Sequence, residues 1–176
     1  MSDASPRLLA AHELVGRQID GLIELASDHP LHDAEAAEVS SWTIGKQLEH
    51  LLLSDSSVFD SFDRLIDGRQ GPTPGGPTLI GRIILATGFI PRGRGKAPKA
   101  VRPAGRDASD IEAGLHRLRQ RCGQLREHLP LFEESGWRFR HPYFGVLAVD
   151  GWMRFMDVHH RHHLKIVRDI RKAAGV

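Results

Sequence analysis

Four of the eleven histidines fall within five residues, at His159, His160, His162 and His163, inside the run WMRFMDVHHRHHLKIVRDI at 152–170. In a helix each residue advances about 100°. Trp152, Phe155, Met156, Ile166, Val167 and Ile170 then share one apolar face, and His159 and His163 interrupt its centre one turn apart. Arg154, Asp157, Arg161, Lys165 and Arg168 fall opposite, with His160 and His162 on the flanks. Side chains at i and i+4 lie about 5–6 Å apart at Cβ, close enough for two imidazoles to hold one metal ion. The plainer alternative is two core histidines, each with one hydrogen bond. A buried polar group left without a partner costs about 1–3 kcal/mol, and a single cation satisfies both rings at once.

The elements that must position these rings are helices. Residues 8–26 carry Leu8, Leu9, His12, Val15, Ile19, Leu22, Ile23 and Ala26 at helical spacing, with Ser5 as a cap and Pro6 in the first turn. His12 is expected at the edge of that stripe. Residues 27–40 read as a connection that exposes His29 and His32. Residues 41–67 form a second predicted helix with Ile44, Leu48, Leu51, Leu52, Phe59, Phe62 and Ile66 inward. His50 lies on another face with Thr43, Gln47, Ser54, Ser57 and Ser61. That face either meets solvent or lines a polar cavity between helices, and the pattern leaves both open.

Residues 68–106 are dense in glycine and proline, hold no acidic residue, and carry Arg69, Arg82, Arg92, Arg94, Lys96, Lys99, Arg102 and Arg106. A long excursion of this kind is a solvated basic loop or a cover that attracts an anionic small molecule. Within it, 78–86 reads as a short helix or an extended segment. Residues 109–129 form the third long helix, opened by a capping box of Ser109 and Glu112, lined by Ile111, Leu115, Leu118, Cys122, Leu125 and Leu129, and stopped by Pro130. Residues 131–147 read as an aromatic-rich connection to the last helix, from which His141 could approach the site. Four long amphipathic helices without an alternating strand pattern predict one all-α domain over residues 1–176.

Composition narrows the function classes. Hydrophobic residues make up 40% and charged residues 26%, the balance of a soluble globular protein. No run approaches the roughly 20 apolar residues needed to span a bilayer, and no secretory signal is visible, so no membrane partner is expected. The lone Cys122 allows no intrachain disulfide and fits a reducing, cytoplasmic setting. A net charge of +2 and few stacking aromatics make nucleic acid an unlikely partner.

Several stretches together resemble a known family. WTIGKQLEHLLLSD places a histidine partway along the second helix after a tryptophan, HHRHHLKIV carries the i, i+4 pair, HPYFG (141–145) precedes a helix with Trp152 in its first turn, and APKAVRP spans 97–103. In order and spacing these resemble the DinB-like superfamily of metal-binding four-helix bundles, in a branch marked by HPxFG and HxxHH. The likeness covers roughly residues 8–172. It implies a four-helix bundle of DinB/YfiT-like type with the basic excursion between its second and third helices. It also implies a three-histidine site formed by His50, His159 and His163, with His162 as the rival for the last position. His162 lies about 80° from the stripe centre, which favours His163.

The cofactor so implied is a divalent ion, zinc or nickel, with at least one position left open for water or a thiolate. The superfamily includes transferases that use low-molecular-weight thiols such as bacillithiol or mycothiol, and metal-dependent hydrolases and isomerases, and the likeness is compatible with a homodimer of this chain. The basic loop would then hold the thiol's anionic groups. The resemblance names no general base outside the metal site and no substrate. The competing expectation is a non-enzymatic metal-binding or interaction bundle. HExxH zinc-protease chemistry is excluded because His160 stands where the glutamate must be.

Overall fold

The computed structural model describes residues 3–93 and 95–176. Arg94, one of the basic-loop cations, lies outside them. The first helix, α1, spans Pro6–Ala26. Its Ser5 hydroxyl accepts from the Leu8 N–H, and Pro6 sits in the first turn where its missing N–H costs nothing. The second, α2, spans Ile44–Ile66 and starts where the Thr43 hydroxyl accepts from the Lys46 N–H.

The stretch between them is not a simple exposed loop. His29–Asp33 form a 3₁₀ turn that buries His32, whose Nε2 lies 2.9 Å from the Ala26 carbonyl. The exposure expected for His32 is therefore wrong: a lone turn gives no periodicity from which to read burial. His29 does face solvent and pairs with Glu112 at 2.7 Å. The predicted capping box is absent. Helix α4 (Ala108–Leu125) begins a residue before Ser109, with Asp107 at its N-cap, and Glu112 turns outward to His29.

The basic excursion is partly folded. Residues Leu79–Thr87 form α3, capped by the Thr78 hydroxyl, and Lys99–Val101 form a 3₁₀ turn against α2. Pro130 does not simply end the third long helix. The chain passes from α4 through a 3₁₀ turn at Arg126–His128 into α5 (Leu129–Ser135), and Pro130 occupies the first turn of this new helix.

The connection expected at 131–147 contains a hairpin, β1 (Arg138–His141) and β2 (Gly145–Ala148), in antiparallel register from Arg138↔Ala148 to His141↔Gly145. Four-residue strands are too short to show a period of two convincingly in sequence. The last helix, α6, spans Val149–Ala174.

Helix α1 packs on α4 and α6, and α2 packs on the same two, giving an all-α architecture with one small hairpin at its side. Leu8, Ile19, Leu48, Phe62, Leu115 and Ile170 are among the buried side chains that fill the shared core. Each such Leu, Ile or Phe contributes about 1.5–3 kcal/mol by leaving water.

The HPYFG stretch has a structural explanation. The His141 Nδ1 accepts from the Tyr143 and Phe144 N–H groups, both at 3.1 Å, and so closes the turn. Gly145 has φ +82°, and a Cβ there would stand 2.7 Å from the Gly76 carbonyl oxygen. Only glycine admits the chain at 76–78, which bonds to the hairpin through Thr78 N–H to Phe144 O and Val146 N–H to Gly76 O. Among the described residues no helix is long and apolar enough to cross a membrane.

Candidate metal centre

His50 on α2 and His159 and His163 on α6 converge. One ring nitrogen from each lies within 4.8 Å of the other two. The Nε2 atoms of His50 and His159 are 3.3 Å apart, and those of His159 and His163 are 3.1 Å apart. Two nitrogens held about 2.0–2.1 Å from a tetrahedral zinc ion stand about 3.3 Å from each other. The face of His50 that sequence left open therefore looks inward. Gln47 and Ser54 on that face are buried with it, whereas Ser57 remains exposed.

The outward nitrogens decide what the inward ones offer. His50 Nδ1 donates to the Val101 carbonyl at 2.6 Å, and His163 Nδ1 donates to Gln47 Oε1 at 2.6 Å. A carbonyl oxygen can only accept, so both rings carry their proton on Nδ1 and turn an Nε2 lone pair inward. Gln47 is oriented in turn by its own N–H to the Ser40 hydroxyl at 2.9 Å. His159 Nδ1 is buried without a partner among the described residues, and its ring stacks on Phe155. Trp42 packs against His50.

Burial, followed by the mutual repulsion of neighbouring imidazoles, holds His159 and His163 well below the usual histidine range. Burial also lowers His50, against an opposing contribution from the Val101 hydrogen bond. All three rings are therefore neutral at pH 7, the form that binds metals. The inward lone pairs of His50 and His163 both face His159 Nε2, and a cation among the three nitrogens would satisfy all of them, so the donor set fits a divalent ion with affinity for imidazole.

A family model of the DinB superfamily matches residues 11–167. The chain belongs to the DinB superfamily. No curated protein and no solved structure matches it significantly. For this DinB-superfamily chain the three residues expected as ligands are those the structure brings together, and His162 stands outside the group. Its ring touches His163 edge-on at 5.1 Å and lies on the side facing Ile90 and Arg92.

The remaining histidines have other work. His160 is fully buried, with Nε2 2.6 Å from Asp55 Oδ2 and Nδ1 3.2 Å from Gln18 Oε1. Both ring nitrogens thus face side-chain oxygens. Gln18 passes the chain of bonds to Asp157, which also binds Arg161 at 3.0 and 2.9 Å. Asp157, expected in solvent, is buried. Burial alone would raise its pKa, but its bonds to Arg161 and Gln18 hold it below the usual range.

His141 does not join the site, because the Phe155 ring lies between it and His159. His12 is buried rather than peripheral, with Nε2 2.7 Å from the Cys122 carbonyl. The Cys122 thiol is pushed up to about 11 by burial, which fits the packed thiol expected there and rules out a resting thiolate nucleophile. Arg92 of the basic loop is engaged by Asp169 at 2.7 Å.

Sequence reasoning placed Gln47 on the His50 face but gave it no role. The Val101 carbonyl left no signal at all, since a backbone acceptor has no side-chain pattern.

Proposed function

We propose that this chain is a metal-dependent enzyme built on a four-helix bundle, with His50, His159 and His163 holding one zinc or nickel ion through Nε2. The observation that carries the reading is the convergence of three Nε2 atoms, two of which, on His50 and His163, are left free of protons because Val101 and Gln47 hold those on Nδ1. Bound there, the ion would supply a Lewis-acid centre that favours the ionised form of a thiol or water at a vacant position near neutral pH.

The chain's own residues hold and orient. Gln47 and Val101 fix two rings, while Trp42 and Phe155 press on the apolar sides of His50 and His159 and limit water. The substrate class that fits best is a small electrophile taken with a low-molecular-weight thiol. Lys99 and Arg102, which flank Val101 and face solvent, are the cations placed to hold the thiol's anionic groups.

The test is elemental analysis of the purified protein, then zinc and nickel titration. Thiol conjugation of an electrophile and small-amide hydrolysis are then measured in wild type and His50→Ala. Metal-dependent turnover lost in His50→Ala supports the proposal, and a protein that stays metal-free under saturating zinc and nickel defeats it. A second reading, a closed structural ion, is favoured by the low exposure of the three rings, 5–9%. Metal-dependent melting with no turnover of either kind would select it.

A further inference from the structure

The Glu49 carboxylate, next to His50 and pointing away from the cluster, is 1% exposed. Three consecutive backbone N–H groups converge on it. Ala104 N lies 3.1 Å from both oxygens, Gly105 N 2.7 Å from Oε2, and Arg106 N 3.1 Å from Oε2. Successive amides wrapped around one anion form a nest. Gly105 makes it possible at φ +90°. The Arg106 guanidinium stands 3.5 Å from Oε1 and adds charge.

The nest is formed by residues 104–106, which are themselves exposed. What lies just upstream gives it a purpose. Val101, whose carbonyl accepts from the His50 Nδ1–H, is three residues before Ala104, with Pro103 stiffening the link. Three residues span at most about 10 Å. Pinning 104–106 to α2 therefore confines the Val101 carbonyl to the neighbourhood of His50, one residue along the same helix.

We infer that Glu49 is a positioning residue that fastens residues 99–106 over α2 as a clasp, so that docking of this segment and capture of the cation are coupled through Val101 and His50. The inference rests on the three-histidine metal centre proposed above. With the clasp closed, His50 keeps its proton on Nδ1 and offers Nε2. With it open, the ring can turn or take the other tautomer, and the set of three is lost. Coupling is reciprocal, so a bound cation must hold the clasp shut to the same degree that the clasp strengthens binding.

Two measurements on the full chain test this. Zinc affinity is read by chelator competition in wild type, Glu49→Ala, Gly105→Ala and the double variant. Amide hydrogen exchange over 99–106 is followed with and without zinc. Loss of a group that orients a metal-binding histidine is expected to weaken zinc binding about 10–100-fold. Gly105→Ala, which strains the nest without meeting a neighbour closer than Lys46 Cε at 3.8 Å, should move affinity in the same direction. The double variant should add little beyond Glu49→Ala. Zinc should slow exchange over 99–106 in wild type and not in Glu49→Ala.

A merely structural Glu49 would lower the melting point of the metal-free protein without any zinc-dependent change in exchange. If wild type binds zinc while both single variants bind within twofold of it, or if zinc leaves exchange over 99–106 unchanged, the clasp is overturned and the metal centre stands. If wild type binds no zinc, the metal centre itself fails and takes the clasp with it. Should Glu49→Ala not fold, Gly105→Ala alone decides between these outcomes.

Discussion

Helix α6 carries two buried polar clusters less than a turn apart, and they solve opposite problems. Around His160, each ring nitrogen meets an acceptor, and the network runs through Asp55, Gln18 and Asp157 to the guanidinium of Arg161. Both ring nitrogens are partnered there, although Asp55 Oδ1 stays without a hydrogen bond among the described residues. Around His159, three imidazole Nε2 atoms converge, those of His50 and His163 as lone pairs set by their outer bonds, and the group contains no carboxylate. His159 Nδ1 is left without a partner among the described residues and the inward nitrogens meet only one another, a set that a cation could complete. Adjacent residues of one type thus differ in role because α2 presents Asp55 to one and His50 to the other.

The contrast can be broken by substitution. His159→Ala should cost zinc binding more than about 1,000-fold, since it removes one of three ligands that also faces both others, while the metal-free fold survives. His163→Ala should match it, and His162→Ala should change affinity less than about tenfold, read by chelator competition. If His162→Ala proves the more damaging, the geometry of the centre is wrong. Asp55→Ala does the reverse. It strands a buried donor and should destabilise the fold by about 3–5 kcal/mol in denaturant titration, while zinc stoichiometry in the folded fraction remains one. Equal loss of metal and stability in both variants would erase the distinction between the two clusters.

His141 offers a third environment, a buried ring that accepts two backbone N–H bonds and, among the described residues, pairs with neither carboxylate nor cation. Burial lowers it to about 4. The unfolded chain, near 6.5, therefore binds the proton more readily, so the stability from the neutral ring is full above pH 6.5 and is lost as pH falls through about 4. That difference corresponds to about 3 kcal/mol. Urea midpoints of wild type and His141→Gln, compared from pH 7 to pH 4, should converge as the pH drops, and a constant gap would refute the assignment. The smallest effect sharpens the centre itself. Gln47→Ala should weaken zinc binding about 10–100-fold by freeing the His163 ring, with little change in the melting of the metal-free protein. Unchanged affinity would mean that packing alone orients the ring.

The sequence by itself determined the long helices, the burial of His159 and His163 on one stripe, and the packed state of Cys122, because each follows from a 3.6-residue period acting on side chains of one element. It also carried the family likeness that pointed to His50. Features made by pairing between elements stayed hidden. Asp157 and His32 looked solvent-facing, Pro130 looked like a stop, and Glu112 looked like a cap, since the partners that bury, restart or divert them come from other helices and turns. Only the tertiary structure decided which way the polar face of α2 looks, that His160 belongs to Asp55 rather than to the cluster, and that a backbone carbonyl 51 residues away sets the His50 proton. The physical reason is that a helix period reports which face is apolar, whereas hydrogen-bond completion depends on whatever the fold brings opposite.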